Sequence, residues 1–571
     1  MSAPETNSPL TGGASKANSY QFMTDQLSPS DDRTFQPKPA EWMAVAALLS
    51  AMLAVNLWTY NLYPTVWSDE VLWSEPAINL VKTGHFTTSV WQLQPADTFW
   101  AAQSPLYCFL LAGWLPLAGD SLLAVRSFNY VLMTVAAGLV WFGSWRWRIV
   151  ARPALRVMIV PLLLLGYGLS YAYRCSRPDI LGLICLTCLG LACLVQAAER
   201  RRVLLFLLAA SAPWVGVQVA LYVLVACVAA KLVFRDLTVR DLAVVGIGLC
   251  AGAISLLVLF AANGVLPYFL DTLHQAADEP RHFGNATGYA GTISRRLSST
   301  LGSYLGDFSA LPLGFALAGF WFCSRNWDQR YKRGAGFLLL LFFGVPLVFN
   351  FTGHFAFYYS YMIYVPLVLA FLMAYESLAG GANRMLRALA GGAFFLAVLG
   401  AMLLGLPMRL LLSASFCEIV PREKYTPIIQ SQIKREDVVL SHFAAFFEAK
   451  QVARKVYSPM YARRFINLSV RAHDFSPEER KQMTVLIMWP EQMESLREYF
   501  GGKWVAVSEP FGDSCSLPAP TWFPLLARRL QSHFASPQVS RQKLQIFRRV
   551  NDEAGGGSGE ESVLPPIRTT E

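Results

Sequence analysis

Two acidic residues stand together just after the first long apolar run of the chain. Asp69 and Glu70 follow the run 41–60 within one short polar segment, and a third acid, Asp179, lies two residues after Arg177. A carboxylate within hydrogen-bond reach of a hydroxyl can take its proton, so these residues are candidates for general base catalysis. The alternatives are structural: Asp69 could cap the following helix, and Asp179 could pair with Arg177 at a helix start.

The composition explains why these positions matter. Of the 571 residues, 54% are hydrophobic and 15% are charged, which is too apolar for a soluble protein of this length. Runs approaching or reaching about 20 apolar residues can cross a bilayer as helices. The chain has such runs at 41–60, 126–145, 157–173, 179–198, 203–214, 215–234, 241–262, 308–324, 335–351, 359–378 and 388–412. Because charge is costly in hydrocarbon, ionisable residues at the ends of these runs indicate the functional face.

Basic residues fall in alternate connections between the apolar runs, for example at 146–156, 200–202, 325–333 and 384–387. This is the positive-inside pattern, which assigns those connections to the cytoplasm. The net charge of +10 therefore indicates membrane topology and not nucleic acid binding. The segments 61–125 and 263–307, and the chain after about residue 413, are then expected outside.

The patterns predict four regions. They are a disordered cytoplasmic tail at 1–40, a multi-helix membrane domain carrying the candidate catalytic residues at 41–412, an extracytoplasmic α/β domain at 413–550 and a flexible tail at 551–571. In the third region, runs of strand length alternate with helical patterns, which is typical of an α/β domain. Cys417 and Cys515 both lie there and could pair, although the sequence does not give their separation.

Several short motifs of the first outer segment resemble those of one known family. They are Asp69-Glu70, Ala77, Gly84–Phe86, Pro105-Leu106-Tyr107, Gly119 and Arg126. Arg177-Pro178-Asp179 and Tyr358–Pro366 are further matches, each at the outer entry to an apolar run. The arrangement is similar to that of the GT-C glycosyltransferases, particularly the branch that contains protein O-mannosyltransferases and the lipid A aminoarabinose transferase. Family members often have Lys-Pro-Pro where this chain has Gln103-Ser104-Pro105, so another cation must serve here if that lysine holds a phosphate.

The apolar runs predict a polytopic α-helical membrane protein of about eleven transmembrane helices with a C-terminal extracytoplasmic α/β domain, and the resemblance fits this architecture. The resemblance implies a glycosyltransferase that moves a monosaccharide from a polyprenyl-phosphate carrier, undecaprenyl or dolichyl, to an acceptor hydroxyl at the outer membrane face. Direct attack with a single carboxylate base would make this transferase inverting. The sugar, the linkage and the acceptor, whether lipid, glycan or protein, stay open. A bacterial inner membrane is the expected location, by fold-level analogy alone.

In that chemistry Asp69 is expected to be the base, Glu70 to tune it or face water, and Asp179 to be a second acid of the site. Cations on the same face would bind the donor phosphate, because guanidinium groups grip phosphate oxygens bidentately. The candidates for donor phosphate or substrate binding are Arg126, Arg174, Arg177, Arg295, Arg296, His354 and Tyr359. The alternatives are lipid headgroup anchoring for the Arg295-Arg296 pair and an interfacial aromatic belt for Tyr359.

Other readings stay open at this point. A transporter or flippase of a lipid-linked substrate would need polar groups along a path through the helices, whose interiors carry almost none. A membrane scaffold that binds a partner would keep its function in Asp69→Asn. A divalent metal is also possible, and its candidate ligands are Asp69, Glu70, Asp179 and His354. Their spacing in the sequence does not fix a coordination geometry.

Overall fold

A computed structural model describes residues 37–234, 237–282, 297–298, 300–323, 327, 329–352, 355–380, 383–461, 474–515 and 542–550. The helices that precede the sheet are α1 (Pro39–Trp58), α2 (Ser68–Thr83), α3 (Leu106–Ala118), α4 (Leu122–Arg146), α5 (Pro153–Leu165), α6 (Tyr167–Arg174), α7 (Asp179–Ala192), α8 (Ala198–Val215), α9 (Val217–Val233), α10 (Val239–Ala262), α11 (Leu266–His282), α12 (Thr300–Gly306), α13 (Ala310–Phe322), α14 (Gln329–Thr352), α15 (Tyr361–Ala379), α16 (Arg384–Leu404) and α17 (Leu406–Phe416).

The apolar helices make the chain an integral membrane protein. Among the described residues, six helices are long and apolar enough to cross a membrane, or eight if two bent pairs each form one span. The bent pairs are α5 with α6, at 61°, and α12 with α13, at 99°. A helix lies over each of the eleven apolar runs, but α7 and α9 have only 14 and 17 residues. The number of eleven spans therefore stays a prediction.

The first outer segment folds into two short helices between α1 and α4. Helix α2 ends at Gly84 and α3 ends at Gly119, with φ of 75° and 89°. Glycine adopts such positive φ values without the clash that a Cβ would cause, so these residues stop the helices where they do. Helix α3 has 13 residues, which at 1.5 Å per residue is too short to cross a bilayer.

The C-terminal region forms a mixed sheet with helices between its strands. Its elements are β1 (Cys417–Glu418), α18 (Arg422–Gln432), β2 (Val438–Ser441), α19 (Phe446–Val452), β3 (Lys455–Tyr457), α20 (Pro477–Gln482), β4 (Val485–Met488), α21 (Met493–Phe500), β5 (Lys503–Ala506), β6 (Ser514–Cys515) and β7 (Gln545–Val550). Five strands are ordered β3-β2-β4-β7-β5, and the separate pair β1-β6 carries a disulfide between Cys417 and Cys515. Strand β2 is parallel to β3 and β4, whereas β7 is antiparallel to β4 and β5.

The outer segment and the C-terminal sheet share one hydrophobic core. Val71 and Ile78 of α2 belong to the same cluster of buried side chains as Phe446 of α19, Val456 of β3 and Ile487 of β4. Most of the membrane helices pack around a separate and larger core. We call the C-terminal sheet with its helices, residues 417–550, the sheet domain. Because apolar burial is the main favourable term in folding, α2 is stabilised by the sheet domain as well as by the membrane helices.

Candidate active site

The candidate site lies at the first turn of α2, where two adjacent carboxylates have different surroundings. Asp69 and Glu70 are the second and third residues of the helix, where its dipole favours negative charge. The side chain of Asp69 is 24% exposed, whereas that of Glu70 is completely buried. Successive helical residues point about 100° apart, so neighbours in sequence face different partners.

Glu70 is neutralised by Arg126 of α4. Arg126 donates from Nε to Oε1 and from Nη2 to Oε2 of Glu70, and both distances are 2.7 Å. Its remaining terminal nitrogen, Nη1, donates to the carbonyl oxygens of Tyr60 and Pro64. Each guanidinium nitrogen thus already contacts a protein oxygen, and both side chains of the pair are inaccessible to solvent.

Asp69 and Asp179 share a second guanidinium, that of Arg177. Arg177 donates from Nε to Asp179 Oδ2 at 2.8 Å and from Nη1 to Asp69 Oδ2. Burial acts to lower the pKa of Arg177, but the carboxylates of Asp179 and Asp69 outweigh it, so the pKa is raised well above its usual value. Arg177 therefore stays cationic, and Asp69 is the one partly exposed member of the triad Asp69–Arg177–Asp179.

Three aromatic rings lie close to the guanidinium of this triad. The Arg177 guanidinium carbon lies 3.9 Å from the ring centroid of Tyr358, 5.3 Å from that of Trp67 and 5.8 Å from that of Tyr359. At these cation–π distances the rings stabilise the charge of the guanidinium. All three rings are partly exposed, as Asp69 is. The predicted site residue Tyr359 thus lies at the rim of the triad.

Arg174 is directed away from the triad. It donates from Nε to the carbonyl oxygen of Tyr63 at 2.7 Å and from Nη2 to that of Thr59 at 2.6 Å. Its Nη1 donates to Asn56 Oδ1 of α1. These hydrogen bonds connect α6 to the end of α1, and the side chain of Arg174 is fully buried.

Asn129 and Tyr107, for which the sequence predicts no catalytic or binding role, hold the turn that carries Arg177. Asn129 donates to the carbonyl oxygens of Cys175 and, at 3.0 Å, Arg177. The hydroxyls of Tyr107 and Ser176 share a hydrogen bond of 2.7 Å. Asn129 follows Arg126 by three residues on α4, so the two share a helix face, and that spacing is the signal that could have found it.

Some predicted residues cannot be placed in this geometry. Arg295, Arg296 and His354 lie outside the described residues. Among the residues that are described, no group of three or more His, Cys, Asp and Glu side chains is arranged to hold a metal ion. Asp69 and Asp179 both contact the guanidinium of Arg177 instead.

Comparisons with known proteins give a fold and no sequence relative. No protein-family model matches the chain, and no curated protein matches it in sequence. The structure is similar to ArnT from Cupriavidus metallidurans bound to undecaprenyl phosphate, with a TM-score of 0.57 and 13% identity over 91% of this chain and all of ArnT. It is also similar to ArnT in the apo state, with a TM-score of 0.53 and 13% identity over 82% of this chain and 96% of ArnT. The chain is an integral membrane protein that has the fold of these ArnT structures.

Proposed function

We propose that this protein is an inverting glycosyltransferase that moves a monosaccharide from a polyprenyl-phosphate carrier to an acceptor hydroxyl at the outer membrane face. The observation that carries the proposal is the environment of Asp69. It is a partly exposed carboxylate on an otherwise buried acid–arginine triad, at the end of apolar helices. The GT-C fold supports the same reading, because ArnT with this fold was crystallised with undecaprenyl phosphate.

In the proposed step the acceptor oxygen attacks the anomeric carbon of the donor sugar. The bond from that carbon to the phosphate oxygen breaks, and the phosphate leaves with the electron pair. Asp69 takes the proton from the acceptor hydroxyl, as a general base must. Phosphate leaves as a stable anion, so no strong acid is required. One direct displacement inverts the anomeric centre, unlike the double displacement of retaining enzymes.

The surroundings of the other acids support different roles for them. Both carboxylate oxygens of Glu70 accept from Arg126, so we assign this pair to holding α2 against α4. Asp179 is buried and accepts from Arg177, so we assign it to orienting that guanidinium. Asp69 is then the acid that an acceptor could reach.

Donor phosphate recognition is assigned by the same reasoning. Arg126 and Arg174 already donate to protein oxygens, which favours positioning roles for both. Arg177 is also nearly buried and donates to two carboxylates, but one of these is the partly exposed Asp69, so we propose Arg177 as a phosphate contact together with Arg295, Arg296 and His354. Bidentate guanidinium contacts suit a phosphate that gains charge as the sugar leaves.

The carrier and the location follow from the same proposal. Undecaprenyl phosphate is favoured because it is the ligand named for the similar ArnT structure. The Cys417–Cys515 disulfide suits an oxidising compartment and thus an extracytoplasmic sheet domain. By analogy with ArnT we place the protein in a bacterial inner membrane, with the site facing outward because the basic connections lie on the cytoplasmic side.

The test is label transfer by the purified protein in lipid vesicles. Radiolabelled undecaprenyl-phosphate sugars are offered one at a time with a crude membrane extract as acceptor. The wild type is expected to transfer label from at least one donor, while Asp69→Asn binds the donor but does not transfer it. If folded wild type consumes no donor, or Asp69→Asn matches it, the proposal fails. Donor that crosses the vesicle membrane unreacted would identify a transporter instead.

A further inference from the structure

The C-terminal sheet domain contacts the same helix that carries Asp69. Glu75 of α2 is completely buried and pairs with Lys450 of α19 at 3.0 Å. Lys450 is itself nearly inaccessible, so the ion pair is sealed between the outer segment and the sheet domain. A charge is buried at such a cost that it is retained only with a close partner and further hydrogen bonds.

Glu75 receives those further bonds from its own segment. Its Oε2 accepts from the Thr88 hydroxyl and the Ser89 amide, both at 2.8 Å. Its Oε1 accepts from the Ser89 hydroxyl at 2.6 Å as well as from Lys450. The Ser89 hydroxyl also lies 2.7 Å from the carbonyl oxygen of Val456 in β3, so the polar network continues into the sheet.

A second contact lies two turns further along the same face of α2. Lys82 donates to the carbonyl oxygen of Lys450 at 3.0 Å and pairs with Asp120. Glu75 and Lys82 are seven residues apart, which places them on one stripe of the helix. Both therefore face α19, and together they fix how far α2 can rotate or slide against the sheet domain.

This attachment has a consequence for Asp69. Asp69 precedes Glu75 by six residues, which is about 9 Å along the helix axis. Both residues lie on one continuous helix, so a shift at Glu75 also moves its first turn. Reaction rates depend steeply on such placement, because an error of about 1 Å between reacting groups can cost two orders of magnitude.

We infer that Lys450 is a positioning residue: through Glu75 it makes the C-terminal sheet domain set the placement of α2 and thus of Asp69. The effect on transfer rests on the proposed function, whereas the attachment itself does not. The sheet domain therefore helps to position the residues of the site.

The first arm of the test measures hydrogen exchange of the full-length protein in lipid nanodiscs. Lys450→Met removes the charge and keeps an apolar stem. We expect the amides of α2 to exchange about tenfold faster or more, while those of β4 stay as protected as in the wild type. The matched control is Lys455→Gln, which breaks an exposed pair with Asp97 at the same interface and should change neither.

Two outcomes of this arm overturn the inference. One is unchanged exchange in α2. The other is equal loss of protection in α2 and β4, which would make the pair a general stabilising contact. If Lys450→Met does not fold, Lys82→Met is measured in the same way, because Lys82 is one-third exposed and its loss leaves Glu75 paired.

The second arm measures transfer. Lys450→Met is expected to lower kcat about tenfold with an unchanged KM for the donor, and Lys450→Arg to restore most of it. A wild-type kcat in a protein whose α2 exchanges faster overturns the positioning role. A wild type that transfers nothing removes the proposed function instead, and the exchange result still decides whether the sheet domain holds α2.

Discussion

Two acid–arginine centres lie side by side in this protein, and they differ in access. The Glu70–Arg126 centre is closed, with two 2.7 Å bonds and no exposed surface. The Asp69–Arg177–Asp179 centre uses the same chemical groups but leaves Asp69 about one-quarter exposed beside three aromatic rings. Their acids are adjacent in sequence, so burial and partners, and not residue type, separate a structural pair from a candidate reaction centre.

A closed pair also occurs elsewhere in the molecule. Glu41 at the start of α1 accepts two bonds from Arg156 of α5, at 2.8 and 2.7 Å, and one from Trp141. Both side chains of the Glu41–Arg156 pair are buried. The bidentate carboxylate–guanidinium pair is thus a repeated way of joining helices here, which makes the open centre the exception.

The largest expected effect comes from removing the exposed carboxylate. Asp69→Asn should lower transfer by about 10² to 10⁴-fold, because a positioned general base contributes that much. The thermal unfolding midpoint and carrier binding should stay near the wild-type values. Transfer assays and unfolding scans on the same preparation check this. A variant that loses stability but keeps its activity would show that Asp69 is structural, like Glu70 in the closed centre.

The closed centre should respond in the opposite way. Arg126→Met leaves Glu70 charged and buried, which should destabilise the protein by about 3–5 kcal/mol. The double variant Glu70→Met with Arg126→Met should recover most of that loss, because no unpaired charge remains. Denaturant unfolding in detergent measures both. No recovery in the double variant would contradict a purely structural pair.

A smaller effect is expected when the shared guanidinium is replaced by an ammonium. Arg177→Lys keeps the charge but cannot contact Asp69 and Asp179 from separate nitrogens in a fixed plane. Loss of one charge-assisted hydrogen bond costs about 1.5–3 kcal/mol, so transfer should fall by roughly 10 to 150-fold. Steady-state rates beside Asp69→Asn test the order. A lysine variant at the wild-type rate would show that bidentate geometry is unnecessary.

The smallest predicted effect depends on pH and lies away from both centres. Burial lowers the pKa of His442 in the sheet domain to about 4. Unfolding restores the usual value near 6.5, so stability is fully present above that pH and falls as pH drops toward 4. At pH 5.5 the loss should be about 1 kcal/mol. His442→Gln should remove this slope in urea unfolding, and an unchanged slope would assign it to other groups.

The sequence predicts the elements of this fold better than their partnerships. Apolar runs locate the helices because span length is set by the bilayer. Strands β2, β4, β5 and β7 lie at or next to the short apolar runs 438–440, 484–488, 504–507 and 543–547, whose length predicts strands. The three residues of β3 are too few for a periodic signal. The sequence predicts the acids and arginines of the site but does not distinguish Arg126 from Arg177. Their pairing depends on α2, α4 and the 174–179 turn meeting in space, which no local pattern encodes.

The order of the sheet has a consequence for biosynthesis. Strand β7 is the last described strand in the chain, yet it lies inside the sheet, between β4 and β5. The ribosome must therefore add about 475 residues after Glu75 before the sheet that carries its partner Lys450 can close. At about 5–20 residues per second this takes roughly half a minute to a minute and a half. During that interval Glu75 of α2 is not yet covered by the closed sheet. A chain that is truncated before β7 would therefore leave this carboxylate exposed on the same helix that bears Asp69.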